Sequence, residues 1–273
     1  PWPTSPTSSA AASRKADRAV PPALLQEAAV ILLLFARVAA MLMLMPLLGD
    51  ETVPRQVRLL LALGLTVALS DLLRPAVMPF IGGGEVKLAI LLLGETLTGL
   101  ALGMLARLFF QAAVMAGSIV SLQSGLTTAI IFDPMLGGQV PILGKLVGLA
   151  AALLCFSLGL HEWWFAALIR SYTLFPPGVP LSPGDWATLA VSTVGKATAL
   201  AVSLAAPFLV FGILFNVALG FAARLAPTIQ IFFVAQPLLI AGGIALLAVT
   251  VRAMLVGFGD AYHDWFAGGW ARV

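Results

Sequence analysis

Seven ionisable side chains lie inside long apolar runs of the sequence: Glu27, Arg37, Glu95, Arg107, Lys145, Lys196 and Arg252. Charges so placed can carry protons or ions, or can hold helices together. Each is too costly to leave against lipid at a bilayer centre, so most should face protein or a watery cavity, or lie beyond the hydrocarbon. Catalysis would need these groups to converge with histidines, thiols or metal ligands. The chain has two histidines, His161 and His263, in unrelated contexts. Its one cysteine, Cys155, sits in an apolar run where a small hydrophobe would serve equally, so neither a disulfide framework nor a Cys/His metal cluster is available. His161-Glu162 could pass protons in principle. It is followed by Trp163-Trp164 and reads instead as an aromatic interface belt, and adjacent residues point to different faces of a helix. There is no Walker loop, GxSxG, HExxH or strand-borne GxGxxG. No catalytic, cofactor or metal site is assigned, and an enzyme is not expected.

The elements that must carry these charges are membrane helices. The chain has 273 residues, 60% hydrophobic and 10% charged, with a mean hydropathy of +1.04. A soluble fold of this size could not hide that much apolar surface. The net charge of +3 comes from 15 basic and 12 acidic residues. It forms no basic stripe with interleaved aromatics, so no nucleic-acid partner is expected. Apolar runs long enough to cross about 30 Å of hydrocarbon recur along the chain. They span 24–48, 57–73, 87–110 continuing to 131, 141–160, 186–225 and 228–258, with a shorter run at 163–174. The pattern predicts an all-α integral membrane protein of six or seven helical elements, with no alternating strand signal. Residues 1–23, rich in Pro, Ser, Thr and Ala, read as a disordered leader. Residues 24–258 read as one membrane domain, and 259–273 as an amphipathic C-terminal segment lying in an interface. Helix breakers at 117–125 and 237–243 predict broken helices lined by protein or water. Basic residues show no strong asymmetry between alternate loops, so charge sets no orientation.

The most informative stretch is 111–134. Gly117, Gly125 and the hydroxyls of Ser118, Ser121, Ser124, Thr127 and Thr128 permit close packing or local unwinding. Met115, Leu122, Leu126 and Ile130 supply an apolar face, with Gln123 among them, and Asp133-Pro134 closes the stretch as a turn. Two readings stay open: a kinked or re-entrant element that constricts a pore, or a small-residue interface by which membrane helices pack. Residues 226–233, with Pro227, read as a bent tip or an ordinary interhelical turn.

One ordered set of motifs begins with Arg37, Pro46, Val53-Pro54 and Arg58, then Gly94-Glu95, Gly99 and Gly103. It continues through Ala116-Gly117, Gln123, Gly125, Asp133-Pro134, Leu160-His161, Ser171-Tyr172 and Phe175-Pro176-Pro177-Gly178. Pro207, Arg224, Ala226-Pro227, Gln230, Phe232 and Pro237 complete the set, which covers 24–258. In this order the motifs resemble the FliR/SctT family of type III secretion export-gate proteins. The chain departs from the family at Thr228-Ile229, where a Pro-Gln pair and a following Asn-Val are usual.

The resemblance implies a bacterial inner-membrane subunit of the flagellar basal body. It would assemble with FliP-like and FliQ-like subunits, beside an FlhB-like protein, into a helical gate that passes unfolded substrates. It makes 111–134 similar to the family's plug, with Met115, Gly117, Ser121, Leu122, Gln123, Gly125, Leu126, Thr127, Ile130 and Asp133 as candidate pore residues. Arg37, Glu95 and Arg224 are expected to be structural charges, anchoring helices through carboxylates or helix C-terminal carbonyls. The alternatives are an injectisome subunit of the SctT type and a small-solute transporter. The latter would be expected to carry an inverted repeat, and no convincing internal repeat is visible.

Overall fold

The computed structural model describes residues 21–46, 48–49, 53–127, 142–159, 161–179, 182–225 and 230–269. Among these there are seven α-helices and no strand: α1 (Pro22–Leu44), α2 (Arg55–Val77), α3 (Glu85–Gln123), α4 (Ile142–Ser157), α5 (His161–Leu174), α6 (Pro183–Leu225) and α7 (Ile231–Asp264). A short 3-10 turn, Met78–Phe80, follows α2, and a π-helical turn, Trp265–Gly269, follows α7. The chain is an all-α integral membrane protein. Five helical segments are long and apolar enough to cross a membrane, and α4 with α5, bent by 77°, makes up to a sixth.

Local chemistry sets where the helices start. Pro22 opens α1 and Pro54 precedes α2, positions where the missing N–H costs nothing. At α6 the Asp185 amide donates to Ser182 Oγ at 3.1 Å, with Pro183 as the first helical residue. The helix therefore begins before Trp186, because the polar cap residues belong to it although they carry no apolar signal.

Of two expected breaks, the one over 117–125 comes only at its far end, at Gly125, and the one over 237–243 is absent. Helix α3 continues through Gly117 to Gln123, and α7 continues through Pro237 and Gly242-Gly243. A proline removes only one donor from a helix, and in apolar surroundings the remaining backbone groups stay paired within it. The result is unusual length. At 1.5 Å per residue, the 39 residues of α3, 43 of α6 and 34 of α7 span roughly 58, 64 and 51 Å, against about 30 Å of hydrocarbon.

Helix α3 is the central element. Helix α1 runs parallel to it: Leu25 and Ala29 share a cleft with Glu85, Leu88 and Leu91, and the C-terminal end of α1 reaches Gly103. A Cβ on Gly99 would overlap the Arg37 carbonyl and come within 2.9 Å of Ala40 Cβ, so glycine there sets how closely α1 lies on α3. Helices α4 and α7 run the other way. Gly117 faces Leu143 and Gly144 while Val114 faces Gly148, and Ser124 meets Gly243 while Phe110 meets Phe258.

Tyr262, Trp265 and Phe266 are buried against α3 and α5. The Trp265 ring stacks on Phe109 at 5.0 Å, and Phe258 and Tyr262 are edge-on to Phe110. Trp164, read as part of an aromatic belt, is likewise 2% exposed. The outer surface remains apolar, with Val191 73%, Val249 80% and Leu225 85% exposed, so lipid or other subunits must cover it in the cell.

Candidate functional site

Of the seven charges in apolar runs, the fold brings two together at full burial. Arg37 on α1 and Glu95 on α3 are each 1% exposed. Arg37 Nε donates to Glu95 Oε2 at 2.7 Å and Nη2 to Oε1 at 2.9 Å, a side-on fork that uses both carboxylate oxygens. Arg37 Nη1 donates to Ser171 Oγ at 3.2 Å, and Nη2 also reaches the carbonyl of Phe175 at 2.8 Å. Phe175 follows α5 directly and its own amide still bonds to Ser171 O, so the guanidinium sits at the carbonyl end of that helix. The guanidinium also lies 4.0 Å from the centroid of the Tyr172 ring.

This cluster joins α1, α3 and the end of α5 through one side chain. Most of the N–H groups of Arg37 have acceptors, so its guanidinium is held in one position among the three elements. Tyr172 Oη is buried with no hydrogen-bond partner among the described residues.

The other charges are placed differently. Glu27 pairs with Arg74 where the start of α1 meets the end of α2, both partly exposed. Arg107 and Lys145 line one shallow cleft between α3 and α4, and Lys196 and Arg252 are exposed on α6 and α7. Arg224 is exposed in the last turn of α6, where a cation faces the carbonyl end of its own helix. Among the described residues no three His, Cys, Asp or Glu side chains gather into a metal-holding group.

The candidate pore stretch begins as ordinary helix. Gly117 and Ser121 are buried, Met115 and Gln123 partly buried, and Leu122 is 63% exposed. A Cβ on Gly117 would come within 2.7 Å of the Leu143 carbonyl, so α3 and α4 touch backbone to backbone there. The helix stops at Ser124, whose amide still bonds to Val120 O at 2.9 Å, and Gly125 turns the chain with a φ of +71°. Gln236 Nε2 of α7 donates to the Gly125 carbonyl at 3.0 Å. Gln123 packs over Gly212 of α6, and Ser124 fills the space that a side chain at Gly243 of α7 would take. Leu126 and Thr127 are partly buried. Ile130 and Asp133 lie outside the described residues, as do Thr128, Pro134 and Pro227.

A single family model, described as bacterial export proteins, family 1, matches residues 28–264 and so takes in both the Arg37–Glu95 cluster and the exit of α3. The chain belongs to this family. Bacterial export proteins of family 1 similar to it include the flagellar biosynthetic protein FliR of Caulobacter vibrioides, 37% identical over 233 residues, covering 84% of this chain and 91% of the relative. FliR of Escherichia coli is 32% identical over 214 residues, covering 78% and 80%. Yop proteins translocation protein T of Yersinia pestis is 28% identical over 222 residues, covering 80% and 83%.

Several partners in the export-family fold were not identified from sequence. Ser171, Tyr172 and the Phe175 carbonyl complete the Arg37 cluster, and Gln236, Gly212 and Gly243 receive the exit of α3. A signal for Gln236 was present: an amide beside a proline in an otherwise apolar helix needs a carbonyl to bond.

Proposed function

We propose that this protein is a subunit of the flagellar type III protein export gate in the bacterial inner membrane, at the flagellar basal body. With FliP-like and FliQ-like subunits, and beside an FlhB-like protein, it forms the path by which unfolded flagellar substrates leave the cell. At the coarser level, family membership and the apolar helices make it a membrane component of a type III export apparatus. The observation that favours the flagellar system over an injectisome is the 37% identity to a FliR across 91% of that protein, against 28% to a Yop translocation protein.

Within that gate, residues 111–134 close the path at rest. A seal against ions must be apolar and close-fitting, yet free of interlocked bulky side chains if it is to open. The described part of the stretch meets both needs: Leu122 stands out from the helix, while Gly117, Ser121, Ser124 and Gly125 pack through small surfaces. The exposed apolar faces of α6 and α7 support the need for neighbouring subunits. Arg37, Glu95 and Arg224 hold the subunit's own architecture and do no chemistry.

Co-expression with the FliP-like and FliQ-like genes of the same operon, followed by purification through a tag on this chain, tests the assembly. A stable hetero-oligomer is expected. A solitary, well-behaved monomer obtained in their presence would count against the gate.

A further inference from the structure

Three consecutive residues at the exit of α3 each meet a different place on α6 or α7. Gln123 lies on Gly212, Ser124 on Gly243, and Gly125 between Gln236 and Leu239, where a Cβ would come within 2.7 Å of Gln236 Nε2 and 2.8 Å of Leu239 Cδ2. The first two are close steric fits. Contacts of that kind limit how near the strands of backbone can come, and resist separation only through dispersion, which is weak per atom pair. The third includes a directed bond, from the Gln236 amide to the Gly125 carbonyl at 3.0 Å. That carbonyl belongs to the residue where φ turns positive, so it has left the helical ladder and needs a partner from elsewhere.

We propose that Gln236 is a positioning residue for closure: its side-chain amide holds the backbone at the exit of α3, and breaking that bond eases the departure of residues 123–125 from α6 and α7. The inference rests on reading 111–134 as the sealing segment. One hydrogen bond of this type shifts an opening equilibrium by roughly fivefold, which suits a catch that must hold at rest and still release. The geometry also makes α7 the element that controls the seal. A neighbouring subunit that rotates or shifts α7 by an ångström or two would lengthen the Gln236 bond beyond hydrogen-bond range and free the exit without touching the seal itself.

The test uses the assembled complex with Gln236→Leu, which keeps the bulk and loses the donor, and Gln236→Glu, which sets a carboxylate against the Gly125 carbonyl. Hydrogen–deuterium exchange of the amides at 122–127 reads the catch directly, and ion permeability of membranes holding the complex reads its consequence. Roughly fivefold faster exchange, with raised permeability in complexes that still assemble, is the expected result. Unchanged exchange in both variants overturns the proposal. So does faster exchange without added permeability when a deletion within 117–127 does leak, because Gln236 would then hold the exit without keeping the path closed. If that deletion does not leak, the sealing role of 111–134 falls and takes the control of closure with it, and the exchange rates alone decide whether Gln236 holds the backbone.

Discussion

Trp164 Nε1 donates a 3.0 Å hydrogen bond to Tyr262 Oη, tying α5 to the last turn of α7 across 98 residues of sequence. Both side chains are buried, Tyr262 among Phe109, Phe110, Phe258 and Phe266, and Trp164 edge-on to Phe156. Tyr262→Phe keeps the ring and leaves the indole N–H without an acceptor, so it is expected to lower stability by about 1–2 kcal/mol. Thermal unfolding of the purified complex measures this. The double variant Trp164→Phe/Tyr262→Phe should cost less than the sum of the singles, because no unpaired donor remains.

For the Arg37–Glu95 pair the expected loss is larger. Arg37→Leu leaves a buried carboxylate and Glu95→Leu a buried guanidinium, and each is expected to cost about 3–5 kcal/mol. Arg37→Leu/Glu95→Leu should recover a substantial part of that loss. Arg37→Lys should not rescue, since a lysine cannot bridge Glu95, Ser171 and the Phe175 carbonyl from one planar fork. Yield of intact complex and its denaturant midpoint report both effects. A double variant no better than either single would show that the pair is not the linkage between α1 and α3.

Two glycines five residues apart on α3 are predicted to behave oppositely. Gly99→Ala pushes a methyl into the Arg37 carbonyl and Ala40, with an expected cost of about 1–3 kcal/mol. Gly94→Ala meets nothing within 4 Å, and is expected to be neutral or to stabilise the helix by up to about 1 kcal/mol. Melting temperatures of the two variants side by side check this.

Removal of part of 117–128 is expected to yield a complex that assembles yet leaks small ions. The measurement is conductance or solute uptake of membranes carrying the complex. Assembly with unchanged permeability would leave these residues a packing interface between α3 and α4.

The all-α membrane architecture was legible in the sequence because burial in lipid leaves a signal in composition and run length alone. Glu95 was legible as a residue that must face protein or water rather than lipid, since its cost against lipid depends on no neighbour. Its partner Arg37 was named as structural, but the contribution of Ser171 and the Phe175 carbonyl depends on which helices meet, and spacing along the chain does not carry that. The break expected within 117–125 came only at Gly125, and the one expected at 237–243 did not come, for a related reason. Glycine and proline weaken a helix locally, whereas here α4 packs on Gly117 and Ser124 packs on Gly243, so tertiary contact keeps the helix whole. The burial of Tyr262 and Trp265 was not legible, because an aromatic cluster beside charges reads alike at a membrane boundary and at the end of a core helix.

The lengths of α6 and α7 bear on the life of the chain before it meets its neighbours. A freshly made copy inserted alone would leave about half of each apolar helix outside any bilayer, in water or folded back against the membrane surface. Such a copy is an aggregation hazard and a ready substrate for quality-control proteolysis. Its cellular abundance should therefore follow the supply of its assembly partners rather than its own rate of synthesis, and surplus copies should be short-lived.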